Sequence, residues 1–242
     1  VDDKIILSQD HDLNSFVTAI ARATGRPLWK TARPDAVRSY STPVIWTQNG
    51  RKQVLVAGAL ELASYDLATG EKLWWVDGLA RIVIPIPVVA SDMIYMASWA
   101  PGADAGGRVS LEPWGQAIAK WDKNKDGKLA KAEVDDREVL TRYYRMDLDQ
   151  NEVLDQKEWD RHADVFRLAQ NAVLALKPNG RGNLTDSALV WKYQRGVPYV
   201  ATPLLHKGIL WMVKDGGIVT KLDASAKGGF IFEMNDPMGR KQ

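Results

Sequence analysis

A phrase repeated at a fixed spacing constrains this chain more than any other feature, because every copy must fold into the same unit and bury its apolar side against the next. Ile20, Ala21, Thr24, Gly25 and Trp29 recur as Tyr65, Asp66, Thr69, Gly70 and Trp74, a shift of 45 residues. Weaker echoes follow at Leu176, Gly180 and Trp191, and again at Leu222, Asp223, Gly228 and Phe232. A second landmark keeps step with the first: Ser41-Thr42-Pro43-Val44, Ile86-Pro87-Val88-Val89 and Ala201-Thr202-Pro203-Leu204. Each precedes a strand-like run, at Val54 to Ala57, Met93 to Ala97 and Ile209 to Val213. The interval from Gly70 to Gly180 holds one period and roughly 65 further residues, so a separate segment interrupts the array.

Short β-rich runs, about four per period and separated by Gly, Asn and Asp turns, describe one four-stranded propeller blade. In the second period the strands are expected near 42–46, 53–58, 61–66 and 72–76. The expected fold is mainly β, a partial propeller of about four four-stranded blades with an inserted α-helical segment. Residues 1–103 carry blades 1 and 2 and half of blade 3, residues 104–170 the insertion, and residues 171–242 the remainder. Trp29, Trp74 and Trp191 belong between adjacent blades, where a flat ring fills space and its indole N–H meets a neighbouring carbonyl.

Within the insertion, residues 122–133 read Asp-Lys-Asn-Lys-Asp-Gly-Lys-Leu-Ala-Lys-Ala-Glu, the spacing of an EF-hand calcium loop. Calcium takes six to eight oxygens, which Asp122, Asn124, Asp126, the Lys128 carbonyl and a bidentate Glu133 can supply, while Gly127 makes the sharp turn. A second loop places Asp147, Asp149, Asn151, the Val153 carbonyl, Asp155 and Glu158 at the same positions. Its turn position carries Glu152, and a side chain held at positive φ costs roughly 1–2 kcal/mol. Charge favours the second loop and geometry the first, which is also diluted by Lys123, Lys125, Lys128 and Lys131. Trp114, Ala117, Ile118 and Trp121 before loop one, and Trp159, His162, Ala163 and Phe166 after loop two, each have helical spacing with one apolar face. Asp155 and Glu158 also match a capping box.

Only residues 134–146 separate the loops. As one helix rising ~1.5 Å per residue, that stretch would hold the loops roughly 20 Å apart and independent. As a tight helical hairpin, it would let Leu129 and Leu154, each at loop position eight, bring the loops together.

Composition removes several function classes. Thirty-two basic and 30 acidic residues are dispersed, without the basic runs interleaved with aromatics that grip nucleic acid. The longest apolar stretch, Ile82 to Ala90, is broken by Pro85 and Pro87 and falls short of the ~20 residues a membrane span needs. With no cysteine, disulfides, thiolate metal sites and cysteine nucleophiles are all absent. His11, His162 and His206 lie in different segments and in no hydrolase or metalloprotease pattern. Lysine-diluted loops suit the higher free calcium outside the cytoplasm, so an extracytoplasmic location, periplasmic or secreted, is expected.

The Tyr-Asp-Leu-Ala-Thr-Gly-Glu-Lys-Leu-Trp stretch at 65–74 resembles the tryptophan-docking repeat of pyrroloquinoline-quinone-like (PQQ-like) β-propellers, which include quinoprotein dehydrogenases and outer-membrane assembly scaffolds. The resemblance implies seven or eight blades against about four here, hence a truncated stretch of a longer protein or a second chain completing the ring. Two functions follow. One is a calcium-binding, non-catalytic scaffold for a protein or polysaccharide partner. The other is a fragment of a PQQ-dependent alcohol or sugar dehydrogenase.

Overall fold

The computed structural model describes residues 1–11, 13–103, 110–225 and 228–234. The chain divides into two compact units: Val1–Pro101 with Ala169–Gln242, and Gly102–Leu168. The expected start of the insertion, at 104, lies outside the described residues.

Sheet 1 contains β1 (Lys4–Gln9), β2 (Phe16–Ala21) and β3 (Pro27–Ala32) in chain order. Sheet 2 follows with β4 (Val44–Gln48), β5 (Arg51–Ala57), β6 (Glu61–Asp66) and β7 (Lys72–Asp77), each within two residues of its expected limits. Sheet 3 opens with β8 (Val88–Ala90) and β9 (Met93–Ser98). The second unit then supplies α1 (Trp114–Trp121), β10 (Leu129–Ala130), α2 (Arg137–Met146), β11 (Val153–Leu154) and α3 (Gln156–Leu168). Sheet 3 resumes with β12 (Ala172–Leu176) beside β9. After β13 (Gly182–Asn183) and α4 (Thr185–Ala188) it ends with β14 (Leu189–Tyr193). Sheet 4 is β15 (Leu204–His206), β16 (Ile209–Lys214), β17 (Ile218–Asp223) and β18 (Gly229–Met234).

Strands inside the array bury both faces, which is why they read as continuous apolar runs. Ile94 and Met96 of β9 point into a core shared with Leu55, Leu62 and Trp74 of sheet 2. Tyr95 and Ala97, on the opposite face, pack with Leu210, Met212 and Leu222 of sheet 4. Sheets 1 and 2 meet through Val17, Val54, Val56, Ala63 and Tyr65. Each sheet carries a β-bulge at the same place: Ala19/Ile20, Ser64/Tyr65, Ala175/Leu176 and Lys221/Leu222. Trp29, Trp74, Trp191 and Phe232 each lie opposite the residue before the bulge, so the repeat read in sequence is one structural position.

Two of the three tryptophans bond as expected. Trp29 Nε1 donates to the Leu67 carbonyl of sheet 2 at 3.1 Å, and Trp191 Nε1 to the Ser225 carbonyl at 3.0 Å. Trp74 differs, donating instead to Gln53 Oε1 of its own sheet at 2.9 Å. The reason lies in β13, which leaves sheet 3 to pair in parallel with β7, Gly182 opposite Trp74. Main-chain pairing there replaces the turn that receives the indole elsewhere.

The second unit leaves and re-enters the array between neighbouring strands, with Ser98 of β9 opposite Ala172 of β12. Asn171 closes the neck: its Oδ1 accepts from the Ala100 N–H at 2.9 Å and its Nδ2 donates to the Ala100 carbonyl at 3.1 Å.

Candidate metal centre

Three helices and two short strands hold the acidic loops. Trp121 and Trp159 are buried with Leu129, Val139, Tyr143, Met146 and Leu154, and the rings of Trp114 and Trp121 each lie 5.9 Å from that of Trp159. The segment after loop one makes a turn at 131–133 and then forms the single helix α2, capped by Asp136 through the N–H groups of Glu138 and Val139. A single helix between the loops was expected to keep them apart. It does not, because β10 and β11 pair antiparallel with Leu129 opposite Leu154. One short helix leaving loop one and entering loop two spans the distance between their far ends while their middles touch.

Both loops carry the same internal bonds. In loop one, Asp122 accepts from the Asp126 and Gly127 N–H groups at 3.2 and 3.0 Å. Asp147 of loop two accepts from Asn151 and Glu152 at 3.0 and 2.9 Å. Glu133 reaches back to the Lys123 and Ala130 N–H groups at 3.1 and 2.9 Å, and Glu158 to Leu148 and Asp155 at 2.7 and 3.2 Å. Asn124 and Asn151 likewise donate through Nδ2 to Asp126 and Asp149 at 3.0 and 2.9 Å. Lys128 and Val153, whose carbonyls complete the expected ligand sets, donate their N–H groups to Asp126 and Asn151 at 2.9 and 2.8 Å. The backbone path survives the exchange of glycine for glutamate, since Gly127 has φ 79° and Glu152 φ 65°.

The loops differ in how closely their carboxylates gather. Asp147, Asp149 and Glu158 each bring an oxygen within 4.8 Å of the others, and among the described residues no trio in loop one does so. Asp155 stands outside that group. Its Oδ1 accepts from the Glu158 N–H at 2.9 Å and caps α3, the reciprocal half of the capping box. Asp147 and Glu158 are buried, and burial pushes Glu158 above the ordinary carboxylate range. The N–H groups of Asp155 and Leu148 offset part of that shift, while Asp155 and Asp149 add to it. No ion pair among the described residues reaches these carboxylates. A donor set made only of oxygens, gathered without a protein cation, fits a hard divalent ion such as calcium.

Tyr143 is a residue that spacing rules could not single out. Its buried hydroxyl lies 2.8 Å from the Leu129 carbonyl and 2.9 Å from that of Glu152, so one side chain bridges the two loops. Burial, then the charges of Asp147 and Glu158, raise its pKa well above the usual tyrosine value. The apolar spacing of Val139, Tyr143 and Met146 reveals a helix face but not the polar tip of one member.

The family model described as outer membrane protein assembly factor BamB matches residues 13–140, more than half of the chain. The chain belongs to this BamB family. No curated protein sequence matches it. Among solved structures, BamB from Moraxella catarrhalis is 16% identical, with a TM-score of 0.40 and alignment over 97% of this chain and 61% of that one. Quinohemoprotein alcohol dehydrogenase ADHIIG from Pseudomonas putida HK5 is 12% identical, with a TM-score of 0.44 over 96% and 33% of the two chains. The enzyme from Comamonas testosteroni is 15% identical, with a TM-score of 0.37 over 97% and 42%. The chain thus spans less than two thirds of each. The BamB-family match begins after β1, takes in β2 to β9 and loop one, and stops before loop two. Among the described residues of this BamB-family chain, no helix is long and apolar enough to cross a membrane.

Proposed function

We propose that this chain is a calcium-binding, non-catalytic scaffold, in which four propeller blades carry an inserted EF-hand pair. Asp122, Asn124, Asp126, Glu133 and the Lys128 carbonyl hold one ion, and Asp147, Asp149, Asn151, Asp155, Glu158 and the Val153 carbonyl the other. The observation that carries this reading is the duplicated bond pattern of the loops, joined through Leu129 and Leu154. Bound calcium would neutralise the gathered carboxylates and stiffen the three helices. The sheets would present a surface to a protein or polysaccharide partner outside the cytoplasm, with a second chain completing the array. The description of the family as an assembly factor favours a protein partner.

Calorimetry with calcium and terbium luminescence sensitised by Trp121 and Trp159 test the metal sites. Uptake should raise the melting temperature, with a stabilisation of about 2.7 kcal/mol at a free calcium of roughly 100 times the dissociation constant. An unchanged melting curve without terbium emission removes the calcium assignment. The other reading, a segment of a PQQ-dependent dehydrogenase, rests on the docking repeats alone. It requires dye reduction on adding PQQ, calcium and an alcohol or sugar.

A further inference from the structure

A cavity of about 330 Å³ opens between sheets 1 and 2, where the chain leaving β3 passes the β5–β6 turn. Its floor is the Tyr65 hydroxyl and the guanidinium of Arg33, a residue only 5% exposed. The Arg33 charge is already matched: Nε and Nη2 donate to the two Asp10 oxygens at 2.7 and 2.9 Å, and Nη1 to the Tyr65 hydroxyl at 2.6 Å. Gly58 permits this arrangement, because a Cβ there would collide with the Arg33 guanidinium and the Asp10 carboxylate. Pro34, Ala36, Ala59 and Leu60 form apolar walls. Leu60 holds φ 68°, a conformation rare for a bulky side chain. Its N–H donates to the Ala80 carbonyl at 2.9 Å, and its carbonyl accepts from the Gly78 and Leu79 N–H groups, both at 3.0 Å. That wall is therefore fixed before any ligand arrives.

The mouth is acidic, with Asp35, Glu61 and Asp77 against one lysine, Lys72. Lys72 answers Glu61, its Nζ 2.7 Å from the carboxylate and 4.5 Å from the centre of the Trp75 ring. Among the described residues no arginine or lysine pairs with Asp35 or Asp77. Asp77 accepts from Asn183 Nδ2 and Thr185 Oγ1, both at 3.2 Å, which orient the carboxylate and leave its charge intact. Three acids could cage a compact metal ion only if their oxygens converged. Among the described residues that occurs at Asp147, Asp149 and Glu158 alone. Two unmatched charges that do not converge, above apolar walls, fit an extended cation.

We propose that this cavity receives an arginine side chain of a protein partner, its guanidinium facing Asp35 and Asp77 and its stem lying along Pro34 and Leu60. A guanidinium presents five N–H donors on a planar fork and is weakly hydrated, so it bonds separated carboxylates better than a compact ammonium does. Its methylenes cover the apolar walls while the charged head stays at the mouth. The volume lies at the lower end for ligand pockets and suits one side chain better than a large organic molecule. Lys72 is the chain's own example of a cation held there between an acid and an aromatic ring. The proposal deepens the scaffold reading and rests on it, by naming the group through which a partner is gripped.

Titration of the calcium-free full chain with acetyl-Leu-Arg-Leu-amide, followed through backbone amide resonances, tests the site. Shifts should centre on residues 32–36 and 58–61 and weaken with added salt. The same peptide with citrulline, which keeps the shape and removes the charge, should bind roughly tenfold more weakly. Asp35→Asn and Asp77→Asn should each weaken the arginine peptide about threefold, as charges at an exposed rim do. Asp35→Asn should melt like wild type, since no bond to its carboxylate exists among the described residues. Equal affinity for the arginine and citrulline peptides, shifts centred elsewhere, or variants that bind like wild type overturn the proposal. Calcium uptake without peptide binding removes this site alone, and peptide binding without calcium uptake removes only the metal half of the scaffold reading. Dye reduction with PQQ removes the scaffold reading itself, whatever the peptide does.

Discussion

Single residues in this chain hold conformations or charges whose energies have testable signs. Glu152 sits at φ 65° where loop one has glycine, a conformation that costs a side chain roughly 1–2 kcal/mol. Glu152→Gly should therefore stabilise the helical unit and tighten calcium at loop two, read by melting and by calorimetry; weaker binding would show that the strain is relieved by a contact of the Glu152 side chain. Asp66 illustrates the opposite balance. Burial raises its pKa, but the Arg51 guanidinium at 2.7 Å and the N–H groups of Thr69 and Ala68 outweigh that and hold it below 3.8. An acid depressed on folding contributes stability that is complete above its unfolded pKa and lost as pH falls through the folded one. Asp66→Asn should thus lower the melting temperature most at neutral pH, with the deficit shrinking as pH falls through the depressed pKa of Asp66. At this scale the loops themselves were legible, because their turn and carboxylate positions follow a fixed spacing that both share in their internal bonds. The gathering of Asp147, Asp149 and Glu158 but not of their loop-one counterparts was not, since it depends on side-chain rotamers.

Elements interact through parts that sequence spacing exposes only in outline. The periodic phrase marked four sheets, and the bulge shared by all of them explains why the spacing was so regular. What it missed is β13, a two-residue strand that crosses to sheet 2 and leaves Trp74 bonded to Gln53. Two residues carry no periodicity, and a parallel partner more than 100 positions away leaves no local mark. The same limit hid how one helix between the loops is compatible with their pairing. Tyr143 is the element-scale test of that pairing. Tyr143→Phe keeps the ring in the core but removes the hydroxyl shared by the Leu129 and Glu152 carbonyls, at a cost of about 1–2 kcal/mol. Melting of the calcium-free protein should show this loss, and calcium titration should show the two loops filling less cooperatively. Unaltered melting and titration together would mean that β10 and β11 hold the loops without it.

At the scale of the whole molecule, the helical unit is inserted between two strands that pair with each other directly. Strands β9 and β12 are hydrogen-bonded neighbours, and Asn171 fastens the chain to Ala100 at the neck. Replacing residues 102–168 with a short Gly-Ser linker should therefore leave the β circular-dichroism signal and a cooperative melt, while abolishing calcium uptake. A molten product would show that sheet 3 depends on the inserted helices.

That neck also bears on the order in which the molecule forms. During synthesis β9 emerges well before its partner β12, and the intervening chain behaves as a long flexible tether whose closure carries an entropic penalty. An ion that compacts the tether early shortens the search, so refolding of the third sheet should accelerate with calcium even where its final stability does not change.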